Sequence, residues 1–121
     1  MSVYMHQWRY KDQHIRDMLD KSEESDRARV VRTAIEASGG RLIAFYFTLG
    51  DYDGLAISEF ADESNALACA MMLVGQGRIQ SLHTSTLFTP EITTKAIDHV
   101  RDILRASPAL AGRPASQETS R

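Results

Sequence analysis

The chain has 121 residues, enough for one domain with a core of modest size. Hydrophobic residues make up 43% and charged residues 25%, ordinary for a globular protein, and a net charge of −2 supplies no field for nucleic acid or anionic membrane. An aromatic share of 7% leaves little for base stacking, and a single cysteine, Cys69, excludes an intrachain disulfide and a cysteine-rich zinc site.

The N-terminus, Met1 to His6, lacks the basic region and apolar stretch of a secretory signal, so a reducing, cytoplasmic location is expected. Val3–Tyr10 is rich in aromatic and β-branched residues and reads as a strand. From Gln13 the spacing becomes helical, with Ile15, Met18 and Leu19 on one face. Ser22, Glu23, Asp26 and Arg27 then occupy positions that one continuing helix would make apolar. A polar break near Asp20–Glu24 followed by a second helix carrying Val30, Val31, Ala34 and Ile35 fits better. Gly39-Gly40 ends that helix.

Arg41–Leu49 predicts a second strand, Gly50–Asp53 a turn, and Gly54–Phe60 the returning strand. Asp62 is placed to cap a helix running to Val74, which Gly75 and Gly77 close. Within it, Ala66–Val74 is the longest apolar run at nine residues, too short to span a bilayer. Ile79–Phe88 is a fourth strand. Thr89 caps a last helix with Pro90 in its first turn and a stripe of Ile92, Ala96, Ile97, Val100, Ile103 and Leu104. Residues 1–106 thus form the domain, and residues 107–121, small and polar with no periodicity, are expected to be a frayed tail.

The order strand, helix, strand, strand, helix, strand predicts an α+β, ferredoxin-like βαββαβ fold with a four-stranded antiparallel sheet and an added C-terminal helix. Such a sheet with one wet face should alternate between apolar and polar. Here neither face does. Ile43, Phe45, Phe47 and Leu49 share one parity, with Leu55 and Ile57 on the next strand. The other face carries Leu42, Ala44, Tyr46, Thr48, Ala56, Ser58 and Phe60. This second face is small, weakly polar and partly aromatic, which suits cover by another sheet with space left for a ligand. The all-round apolar Ala66–Val74 also calls for burial on more than one side. A homodimer or higher homo-oligomer is the expected partner.

Several short features recur in one register: Asp12-Gln13-His14-Ile15 after the first strand, Gly39-Gly40, the run Phe45 to Asp53, Asp62-Glu63, and Phe88-Thr89-Pro90-Glu91. Together they resemble the GYD domain family, named for a Gly-x-Tyr-Asp type hairpin, over residues 4–104. Lys11 and His14 depart from the usual Thr and Gly, and Arg78–Leu87 is one residue longer than the family pattern. The resemblance implies a place in the dimeric α/β-barrel group, in which two open sheets pack face to face. It implies no particular reaction.

Candidate residues each have a plainer reading. Asp51, Tyr52 and Asp53 would line the mouth of a pocket, yet every one is also what a tight turn demands. His6 and His83 lie on neighbouring strands and, if both point to the second face, could share a cavity with Tyr46 and Ser58. A neutral imidazole there would be a general base. No third ligand stands at metal-binding spacing, so no metal and no cofactor is expected. Trp8, in line with Tyr4, His6 and Tyr10, suits a flat apolar or aromatic ligand or aromatic packing in a dimer. Three functions remain open: a homo-oligomeric small-molecule-binding or regulatory module, which these features favour; a cofactor-independent oxygenase or isomerase; and a structural interaction module with no cavity.

Overall fold

The computed structural model describes residues 1–20 and 27–112. Its elements are β1 (Ser2–Tyr10), α1 (Asp12–Asp20), α2 (Arg27–Ala37), β2 (Gly40–Phe47), β3 (Gly54–Phe60), α3 (Glu63–Gly75), β4 (Ile79–Leu87) and α4 (Pro90–Ala106), with a 3-10 turn at Pro108–Ala111. The strands form one antiparallel sheet in the order β2-β3-β1-β4, the ferredoxin-like arrangement. The chain divides into two units, residues 1–87 and residues 88 onward.

In the first unit, the even-numbered residues of β1 and β3 turn toward the helices. Tyr4, Trp8, Tyr10, Ala56 and Phe60 are buried there against Ile15 and Met18 of α1, Val31 and Ile35 of α2, and Ala66, Cys69 and Leu73 of α3. Among the described residues α1 ends at Asp20 and α2 begins at Arg27; the expected polar break near Asp20–Glu24 lies, apart from Asp20, outside the described residues. Gly39 (φ 89°) closes α2 in the left-handed region open to glycine. Asp62 caps α3, its carboxylate accepting from the Ser64 amide at 2.9 Å.

This corrects the expected assignment of faces. The row of Tyr4, His6, Trp8, Ala56, Ser58 and Phe60, expected to meet a second sheet, is the one the helices cover. Size complementarity decides it. Gly54, Ala56 and Ser58 on β3 are small, which makes room for the large rings of β1. A Cβ added at Gly54 would stand 2.4 Å from the Trp8 ring.

Two bulges shift the remaining parities. In β2, Leu42 pairs with Ser58 and Ala44 with Ile57, leaving Ile43 unpaired. Leu42 and Phe45 therefore both reach the core, and Tyr46 turns to the other face. In β4, Ser81 pairs with Arg9 and Ile79 with Tyr10, so Gln80 is the extra residue.

Among the described residues of the first unit, no helix packs on the opposite face of the sheet, which is bare in that sense. It is built of Val3, Met5, Gln7 and Arg9 from β1, Leu55, Ile57 and Glu59 from β3, Ala44 and Tyr46 from β2, and His83, Ser85 and Leu87 from β4. Along α3, Ala66 and Cys69 are buried, whereas Leu67, Met71 and Val74 are exposed.

In the second unit, Thr89 caps α4 by accepting from the Ile92 amide, with Pro90 in the first turn. Ile92, Ile97, Val100 and Ile103 of its apolar stripe are exposed. Beyond α4 the chain forms the 3-10 turn, where the Leu110 amide donates to Ser107 O at 2.8 Å. Residues 113–121 lie outside the described residues. Among the described residues, no helix is long and apolar enough to cross a membrane.

Candidate functional site

Strand alternation carries His6 into the core between Tyr4 and Trp8. Its Nε2 lies 2.8 Å from Ser58 Oγ and its Nδ1 lies 3.0 Å from Thr84 Oγ1. Each hydroxyl can donate or accept, so a neutral ring is satisfied in either tautomer. The Tyr4 ring stacks at 6.5 Å between centroids. Burial penalises the imidazolium and pulls the His6 pKa from 6.5 to about 4. The ring is neutral at pH 7.

A serine hydroxyl bonded to a neutral imidazole is the pairing that activates nucleophiles. Access decides otherwise here. His6 is 1% exposed and Ser58 0%, so neither offers an atom to a substrate in this conformation. His6 and Ser58 form a satisfied buried polar pair, which the exposed Thr84 completes from the edge of the core. Thr84, absent from the sequence candidates, reaches past His6 into a groove between α3 and β4 lined by Tyr4, Ala66 and Leu67. Its role was readable only from register, because His6 pairs directly with Thr84.

That register also separates the two histidines. Gln7, not His6, pairs with His83, and a one-residue offset moves a side chain to the opposite face. His83 is exposed on the bare face, with the Tyr52 ring 6.4 Å from its own. The expected cavity shared by His6, His83, Tyr46 and Ser58 does not form within the chain. His6 and Ser58 are in the core; His83 and Tyr46 are on the other side of the sheet, with Tyr46 62% exposed. Trp8 is likewise a core residue, packed on Phe45 and Tyr10 at 5.7 Å and 6.3 Å.

The hairpin residues are engaged in backbone closure. The Asp53 amide donates to Trp8 O at 2.8 Å, and Asp53 Oδ2 accepts from the Tyr10 amide at 2.9 Å. A carboxylate thus extends the β1–β3 ladder by one rung beyond the last strand pair, Trp8 with Gly54. Thr48 Oγ1 donates to Tyr52 O, and Arg9 donates to the carbonyls of Gly50 and Asp51 from the bare face. Asp51 itself is exposed.

The sequence matches the GYD domain family model over residues 4–97. The chain belongs to the GYD domain family. Within this GYD domain the hairpin signature is therefore seen closing backbone hydrogen bonds, with Asp53 as the closing group. Curated proteins give no significant sequence match. Among solved structures, the chain is similar to a crystallised protein from Agrobacterium tumefaciens, at 14% identity and a TM-score of 0.43, covering 74% of this chain and 98% of that one. It is also similar to an uncharacterized NIPSNAP-like domain protein from Burkholderia xenovorans, at 13% identity and a TM-score of 0.44, covering 73% and 84%. With scores of this size, the fold assignment rests on the strand order itself.

No group of three or more His, Cys, Asp or Glu able to hold a metal ion is found among the described residues. Cys69 is a buried free thiol whose pKa burial pushes up, so it is a poor nucleophile.

Proposed function

We propose that this GYD domain is a homo-oligomeric small-molecule-binding or regulatory module, its bare sheet face meeting a second copy. The observation that carries this is the layout of that face. Its centre is apolar, from Met5, Leu55, Ile57 and Ala44, and its ends are polar. At one end Arg41 pairs with Glu59 at 2.8 Å; at the other lie Arg9, His83 and Tyr52. An apolar middle inside a polar rim is the pattern of a protein interface. A face of medium-sized aliphatic residues would be costly left in water. Two such sheets packed face to face stand about 10 Å apart, which would leave Tyr46, Gln7 and His83 to line any space between them.

Sedimentation of the wild type and of Ile57→Lys tests the reading. The wild type is expected to sediment as at least a dimer at micromolar concentration, and Ile57→Lys as a folded monomer. A wild type that stays at 13.5 kDa overturns it.

A further inference from the structure

On the helix side of the sheet a slot of about 50 Å³ runs between β1, β4, α2 and α3, walled by Trp8, Val31, Leu73 and Leu82. A cleft of about 350 Å³ lies between α2 and α3. Val30, Gln76 and Arg78 line both, so the slot and the cleft adjoin at these residues. The described lining includes Arg29 and Arg78 and no Asp or Glu. The Arg78 guanidinium has no ion-pair partner among the described residues, and its backbone is fixed by the Lys11 amide donating to Arg78 O at 3.0 Å.

In the turn that carries Gln76 and Arg78, two successive backbone donors are engaged. The Gln76 amide donates to Met72 O and the Gly77 amide to Val74 O, both at 3.1 Å. Its side chains offer the Gln76 carboxamide and the Arg78 guanidinium. Phosphate loops rely on free backbone amides, so this turn does not suit a phosphate. A planar fork beside an apolar slot suits a carboxylate with an apolar tail. The slot has room for about four water-sized spheres, or a chain of a few carbons.

We propose that the slot and cleft bind a short-chain aliphatic carboxylate, its tail against Trp8 and its carboxylate on Arg78 and Gln76. This site lies wholly within one chain and stands whether or not the bare sheet face is an interface.

Trp8 is the sole tryptophan, so its emission reports on the slot. The probe is hexanoate, titrated into the full chain, with hexan-1-ol as the uncharged control. A saturable change in Trp8 emission is expected for hexanoate. Affinity should be at least about tenfold weaker for hexan-1-ol and for hexanoate with Arg78→Gln. Arg78 is exposed, so this variant should keep the fold. Gln76→Ala retains the charge, should weaken hexanoate by about threefold, and provides the test should Arg78→Gln fold poorly. The proposal is overturned by no saturable response, by equal binding of the alcohol, or by variants that bind like the wild type.

Discussion

The two faces of the sheet share four strands and use them differently. On the covered face, large rings of β1 sit over the smallest residues of β3, so that Trp8 lies above Gly54 and the helices close on a surface of matched shape. On the bare face, Val3, Met5, Leu55 and Ile57 are of similar, middling size and present an even apolar surface. Apolarity alone ranks the second face as the better core. Shape ranks the first, because dense packing needs large against small. The comparison teaches that a weakly polar row with a buried histidine becomes a core when its neighbours leave the right volume.

The largest effect should come from removing the ring that fills that volume. Trp8→Ala is expected to cost about 3 to 5 kcal/mol in denaturant unfolding followed by circular dichroism. A loss under about 1 kcal/mol would break the argument that β1 rings set the covered face.

The next effect is one of pH. Folded His6 titrates near 4 and the unfolded residue near 6.5, so the unfolded chain takes the proton first. The stability tied to a neutral His6 is intact above pH 6.5 and is lost as pH falls from 6.5 to 4, about 3 kcal/mol in all. Urea midpoints at pH 7.5 and 4.5 measure it. His6→Gln should shrink the difference between the two, and an unchanged difference would place the titration elsewhere.

A smaller loss is expected at the edge between the faces. Asp53→Ala removes the acceptor of the Tyr10 amide and should destabilise by about 1 to 2 kcal/mol, with faster hydrogen exchange at Tyr10. Slow exchange retained in the variant would mean that another group closes that rung. The smallest effect belongs to the bare face. Tyr46→Ser, measured at a dilution where the chain is monomeric, should shift unfolding by no more than about 0.5 kcal/mol. A shift comparable to that of Trp8→Ala would erase the distinction between the faces.

Much of the fold was legible because it rests on local signals. The caps at Asp62 and Thr89, the Gly39 stop and the hairpin at Gly50–Asp53 are each fixed by a residue type with one strong local preference. What was not legible depends on non-local pairing. Parity along β2 fails at Ile43, because a bulge leaves no mark in a run as uniformly apolar as Leu42 to Phe47. The separation of His6 from His83 turns on a one-residue register that composition does not specify. The pairing of His6 with Ser58 and Thr84 follows only once three strands are aligned. Arg78 and Gln76, which line the proposed slot, are single polar residues at a helix-to-strand turn and carry no spacing that points to a ligand.

The rung that Asp53 supplies changes what the family signature can be used for. In this chain that side chain buckles a loop to the end of a strand, a task set by the fold and complete without any bound molecule. Architecture alone accounts for the carboxylate at this place, so a ligand has to be sought elsewhere in the molecule.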